Sequence, residues 1–271
     1  MSFVCGTFFK HLCRHQFIHY KDARTPYFFH KEEESINNNL VFCSPEGLTL
    51  LSQSEVVKEE FVLVTHNSDV NFNQKNVEAV IGFFPKMKRW YTQNLLYEHE
   101  KVYPIPIGIA NPKWSHGNQE RFTKVASENN EKHRLFYANF NTSTNPKERD
   151  YCYQQLGLSS PVKYPDASII DDHNKFVEDT HESYLRDISR SYFVISPDGN
   201  GKDCHKTWEA LYMKSIPIVT DSYFARRFQE MGIPLIIISD WSEFNALSLS
   251  PQRYADTWKD FDPSKLTEIF L

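Results

Sequence analysis

No stretch of this 271-residue chain approaches the ~20 consecutive apolar residues that a membrane span requires. The N-terminus, MSFVCGTFFKHLCRHQFIHYKD, has no long apolar stretch ahead of its basic residues, so the pattern of a secretory signal is missing. CxxC spacing is also missing. The five cysteines (Cys5, Cys13, Cys43, Cys152, Cys204) are scattered and odd in number, which argues against a zinc ribbon or thioredoxin motif and suits a reducing compartment. The expectation is a soluble, cytoplasmic chain. Excess basic charge is absent too: 30 Lys and Arg stand against 35 Asp and Glu, and a net charge of -5 argues against duplex nucleic acid as the main partner. There is no internal repeat and no low-complexity tract.

What is present belongs to a globular protein, 40% hydrophobic and 24% charged. At about 100–200 residues per domain, the length suggests two lobes. Aromatic residues reach 15%, a content that serves cores first and sugar or base stacking second. Short apolar runs alternate with helical patterns, as in parallel sheets with helices packed outside. In the first half, strands are expected at 61–64 and 102–107, with a helix from about Val77 to Pro85. The two prolines of the second strand suit an edge or a domain exit. Polar sequence without periodicity covers 111–132, and the lobe boundary is placed there. In the second half, strands are expected at 135–138, 192–195, 216–219 and 235–238. Helices are expected at 146–156, 177–189, 204–214 and 221–231, and in the tail after Pro251. The domain reading is 1–118, 119–250, and a C-terminal helix at 251–271 packing back on the first lobe.

The most informative stretch runs from Tyr192 to Asp221, YFVISPDGNGKDCHKTWEALYMKSIPIVTD, and reads as strand, glycine-bearing loop, helix and strand. Ligands of open parallel sheets sit beyond the carboxyl ends of strands, where the loop after Ile195 must lie. Gly199 and Gly201 would let backbone approach a ligand. The helix start offers free N–H groups, with Lys202, His205 and Lys206 adding positive charge, so the loop suits a diphosphate. The glycines alone are weak evidence, since the stretch matches neither GxGxxG nor GxxxxGK[ST]. His205 and Glu209, four apart, share a helix face. A carboxylate at Glu209 could accept both hydroxyls of a ribose, or could simply favour the helix dipole and pair with Lys206. Trp208 and Leu211 read as core.

Taken together, Ser196-Pro197-x-Gly199, Asp203-x-His205-Lys206-x-Trp208-Glu209-Ala210-Leu211 and Ile216-Pro217-Ile218-Val219 resemble the nucleotide-sugar motif of exostosin-like glycosyltransferases. In the first half, Thr65-His66-Asn67-Ser68-Asp69, Lys88-Arg89-Trp90-Tyr91-x-x-Asn94, Ile105-Pro106-Ile107-Gly108-Ile109 and Trp114-x-His116-Gly117 recur in short members of that family in the same order. The resemblance covers roughly residues 60–240. It implies an α/β protein of GT-B type, two Rossmann-like lobes with parallel sheets facing across a cleft. The N-terminal lobe would bind a glycan acceptor and the C-terminal lobe a UDP-sugar, and transfer would invert the anomeric centre.

By position, the resemblance gives Glu209 to the ribose and the loop of Ser196, Pro197, Gly199, Asn200, Gly201, Asp203, His205 and Lys206 to the diphosphate. Asn139, Phe140 and Arg149 would also line the donor site. Many members carry arginine where this chain has Lys206, and a lysine supplies charge without the bidentate fork. Short forms of the family occur in bacteria and in large DNA viruses of algae, an analogy that leans toward UDP-xylose.

For a general base, Asp69 at the end of a first-lobe strand is preferred, with His66 as the alternative. The competing reading makes 65–69 a turn that caps the next helix. No metal and no cofactor beyond the donor is expected. The DxD pattern occurs only as Asp260-Phe261-Asp262, read as a solvated helix face, and His11, His15 and His19, spaced i, i+4, i+8, read as another helix face. A dehydrogenase or epimerase is disfavoured by the missing GxGxxG. A non-catalytic nucleotide or sugar binder stays open, as does oligomeric state.

Overall fold

A computed structural model describes residues 2–18, 27–30, 39–158 and 174–270. By its contacts the chain divides into a first unit, Val4–Ile107, and a second, Gly108–Leu271 joined by Met1–Phe3. The first unit contains α1 (Gly6–Leu12), β1 (His15–Ile18), β2 (Tyr27–His30), β3 (Leu40–Cys43), α2 (Leu48–Leu51), β4 (Phe61–Thr65), α3 (Gln74–Phe83), β5 (Met87–Thr92) and β6 (Val102–Pro104). Its sheet runs β2-β1-β3-β4-β5-β6, with only the β1–β2 pairing antiparallel. β6 is an edge strand and stops at Pro104, as its prolines require.

Buried Phe61, Leu63 and Val64 hold β4 in the centre, and the fully buried Trp90 donates its indole N–H to Thr65 Oγ1 at 2.8 Å. That hydroxyl donates in turn to Thr92 Oγ1 at 2.6 Å, so the polar atoms at these strand ends satisfy one another. The expected histidine helix does not form. α1 ends at Leu12, Cys13 is extended, and His15 opens β1; His19 lies outside the described residues.

The second unit contains α4 (Gln119–Ser127), β7 (Arg134–Tyr137), α5 (Pro146–Gln155), α6 (Asn174–Ser189), β8 (Ser191–Ile195), α7 (His205–Tyr212), β9 (Ile216–Thr220), α8 (Tyr223–Glu230), β10 (Ile236–Ile238), α9 (Pro251–Trp258) and α10 (Leu266–Ile269). Its sheet is wholly parallel in the order β10-β9-β8-β7. Phe193, Ile195, Ile216, Ile218, Ile236, Ile238 and Trp241 form the core beneath it. Each unit is therefore α/β on a parallel or, in the first unit, mostly parallel sheet, as Rossmann-like lobes are.

α4 lies inside the polar 111–132 stretch. Asn118 caps it, accepting from Glu120 N and Arg121 N, and Phe122 and Val125 are its only buried residues. A bidentate Arg186–Glu128 pair and the Lys124–Glu182 pair join it to α6. Phe3 packs on Phe122 and Tyr212, which accounts for the first residues belonging to this unit. The tail, for which the sequence suggested a return to the first lobe, lies on the second unit's own sheet, with Tyr254 against Tyr192 and Phe193. Trp258 and Phe261 meet edge to face, whereas Asp262 sits past the helix as the cap of a short turn, accepting from Ser264 N at 2.9 Å. Among the described residues no helix is long and apolar enough to cross a membrane.

Candidate functional site

The loop after β8 begins with Ser196, whose hydroxyl meets Thr207 Oγ1 at 2.9 Å, buried at the base of α7. Gly199 folds back so that its N–H donates to Gly201 O at 3.0 Å. A Cβ at Gly199 would lie 3.0 Å from Arg149 Nη2 and 3.2 Å from Cys204 Sγ, so glycine lets these two side chains pack closely on the loop. Arg149 spans the gap, donating from Nε to Asp198 O at 2.9 Å and from Nη1 to Asn141 O at 2.7 Å. Asn145 caps α5 and donates to Gly199 O at 3.1 Å. The loop is thus pinned before any ligand arrives. Burial pushes the Cys204 thiol up to about 12, which leaves it inert as a nucleophile.

α7 starts without a side-chain cap: Cys204 precedes it and makes no capping bond, unlike Asn145, Ser222 and Ser250 at other helices of this unit. Its first N–H groups and positive dipole end suit an anion. The surrounding charge differs from expectation. Lys202 pairs with Asp198 at 2.8 Å, so its charge is neutralised there. His205 donates from Nδ1 to Gly108 O at 2.6 Å, a partner that fixes its ring. Lys206 and Arg149 remain as the cations within electrostatic reach of one another, and burial lowers the Lys206 ammonium to about 8 against the opposing pull of Glu209.

Behind them Glu209, only 6% exposed, accepts from the Tyr184 hydroxyl at 2.6 Å, and Lys206 donates to the same hydroxyl at 2.7 Å. Glu209 Oε1 has no hydrogen-bond partner among the described residues and is open to a ligand hydroxyl. Tyr184 was not singled out from sequence; one tyrosine on an amphipathic helix carries no motif. His116 and His181 both feel the Glu209 carboxylate, and burial lowers the pKa of each. Asn139 donates to the Tyr137 hydroxyl at 2.8 Å, and the Tyr137 ring lies 6.2 Å from that of Tyr184.

Other expected site residues have structural partners. Asp203 accepts from the buried Trp208 Nε1 at 2.9 Å. Phe140 is buried, stacked on Tyr153 at 4.1 Å and bonded to it through its backbone. Pro197 and Gly201 are buried loop residues, and Asn200 is exposed at the tip. Trp208 and Leu211 are core, as read.

The two candidate bases sit in the first unit. His66 is buried, with Nε2 on Pro106 O at 2.9 Å and Nδ1 accepting from Asn67 N at 2.8 Å. Both nitrogens are therefore engaged within the unit, and the ring supports the turn. Asp69 is exposed, with no side-chain partner among the described residues, and does not cap α3; Asn73 does that. Asn67, with φ of 66°, and Gln93, which accepts from Asn67 N and donates to Ser68 O, shape the loop that presents it. Among the described residues no group of three or more His, Cys, Asp or Glu is arranged to hold a metal ion.

A parallel α/β unit that sets a half-open carboxylate behind an uncapped helix start and two cations is suited to an anionic, hydroxyl-bearing ligand. Residues 119–259 match the family model described as the RXYLT1 C-terminal domain. The chain belongs to that family, which is glycosyltransferase-like and exostosin-related. A comparison with curated proteins finds no match.

Proposed function

We propose that the protein is an inverting glycosyltransferase of GT-B type that uses a UDP-sugar, UDP-xylose being the preferred donor, and that its second unit is the donor lobe. The observation that carries the reading is Glu209, held by Tyr184 one turn behind the uncapped start of α7, with Oε1 unoccupied. The ribose hydroxyls would meet Glu209, and the diphosphate would meet the α7 N–H groups, Lys206 and Arg149. These same groups would take up the charge that develops as UDP departs, which is where electrostatic stabilisation acts most strongly. Membership of the RXYLT1 C-terminal domain family supports both transfer and a pentose.

In the reaction the acceptor oxygen bonds to the anomeric carbon as the carbon–phosphate oxygen bond breaks. UDP leaves with the electron pair, and the hydroxyl proton passes to the base. Asp69 is the base in this reading, being an exposed carboxylate without a side-chain partner among the described residues, whereas both nitrogens of His66 are occupied. No cofactor beyond the donor takes part. A UDP-release assay across a panel of UDP-sugars tests the proposal. UDP-xylose should be hydrolysed slowly without acceptor and faster with a glycan. Stable binding of the donors without release would make the protein a binder, and neither binding nor release would end the reading.

A further inference from the structure

Of the five tryptophans, Trp90, Trp208 and Trp241 are fully buried and Trp258 is half-buried. Trp114 is 54% exposed. Its backbone is nonetheless firmly held. Trp114 N donates to Asn111 O and Gly117 N to Trp114 O, both at 2.9 Å, while Arg121 donates to Ser115 O at 3.1 Å. Gly117 permits this turn because a Cβ there would stand 2.2 Å from Asn111 O and 2.5 Å from Ala110 O. An exposed indole on a preformed turn loses little freedom when something settles on it.

Its neighbours define what that would be. The Lys113 ammonium lies 5.1 Å from the indole centroid, and the His116 ring is nearly parallel to the indole, at 19° and 6.4 Å. His116 in turn meets His205, the first residue of α7, at 6.5 Å. The ring series therefore leads from an exposed apolar face to the helix start assigned to the diphosphate. Burial keeps His116 below the ordinary histidine pKa, so at neutral pH its imidazole can both donate to and accept from a hydroxyl. An exposed indole with an ammonium over its ring and a parallel neutral imidazole beside it suits a pyranose, which has one C–H face and hydroxyls around it.

We infer that Trp114, with Lys113 and His116 against its ring, is the stacking platform for the acceptor sugar. The inference rests on the donor assignment in the second unit, and deepens it by naming where the acceptor ring lies.

Two readings of the whole chain test it. In the first, methyl β-xyloside and methyl β-galactoside are titrated against acrylamide quenching of tryptophan fluorescence, Trp114 being the most exposed of the indoles. The glycosides should shield it and UDP should not. In the second, Trp114→Ala should raise the KM for the glycoside acceptor at least tenfold and leave UDP affinity unchanged, with Trp114→Phe restoring most of the loss. Absence of shielding by either glycoside, or an unchanged acceptor KM in Trp114→Ala, overturns the platform. A fall in UDP affinity in that variant also overturns it, since the indole would then serve the nucleotide. If wild-type protein binds no UDP, the donor assignment fails, and that result is separate because the quenching titration needs no nucleotide.

Discussion

The Tyr184 hydroxyl donates to Glu209 at 2.6 Å while accepting from Lys206 at 2.7 Å, so one phenol stands between two opposite charges. Burial first, and the adjacent carboxylate second, push the Tyr184 pKa well above its ordinary value, so it stays a donor at all working pH values. The phenol fixes one oxygen of Glu209 and leaves the other for a ligand. Tyr184→Phe removes the anchor while keeping the ring. UDP affinity should fall roughly three- to tenfold, on the order of 1 kcal/mol, as read by calorimetry. Undiminished affinity would mean that Glu209 needs no positioning.

Lys206 carries a pH signature. Burial lowers its pKa to about 8, so it is cationic below that value and loses its charge above it. UDP affinity should weaken as pH rises from 7 to 9.5, and binding near pH 8 should take up protons, visible as a buffer-dependent enthalpy. Lys206→Arg keeps a charge throughout this range and should flatten the profile. A wild-type affinity independent of pH across the window contradicts the diphosphate role of Lys206.

His181 bears on stability. Both ring nitrogens are buried without a hydrogen-bond partner among the described residues, and the ring sits against Phe122 and Tyr184. Burial lowers its pKa, with Glu209 opposing that shift and His116 and Arg121 adding to it. Below the ordinary histidine value of about 6.5, the unfolded chain therefore binds a proton that the folded chain refuses, and stability falls as pH drops. His181→Phe should raise Tm by roughly 2–4 °C at pH 7, and by more at pH 5.5. A lower Tm at both pH values would show that the imidazole is satisfied.

Asp69 tests the chemistry apart from donor binding. Asp69→Asn keeps the shape of the loop and removes the proton acceptor, so transfer should drop at least a hundredfold. UDP affinity should stay within twofold. Full turnover in this variant would remove Asp69 from the mechanism.

The β8–α7–β9 segment was legible because its strands are apolar runs, its loop carries glycine, and its helix places Trp208 and Leu211 inward. β5 was not. Met87, Trp90 and Thr92 are buried while Lys88 and Arg89 are exposed, and a register shift against β4 near Phe61 and Val62 breaks strict alternation. α4 was hidden for another reason: two buried residues in a polar run leave almost no periodic signal. At the candidate site, motif and position pointed to Glu209 and Arg149, and both lie within electrostatic reach of Lys206. Tyr184 was not, because its importance comes from where α6 packs. Lys202, read as added positive charge, and Asp203, expected at the donor site, have partners in Asp198 and Trp208 that spacing alone does not reveal.

Calorimetric titration of UDP into wild-type protein and Glu209→Ala decides whether Glu209 holds the nucleotide. Measurable binding to the wild type and at least tenfold weaker binding to the variant, about 1.4 kcal/mol, are expected. Equal affinity in the two proteins, or no binding to either, would contradict that role.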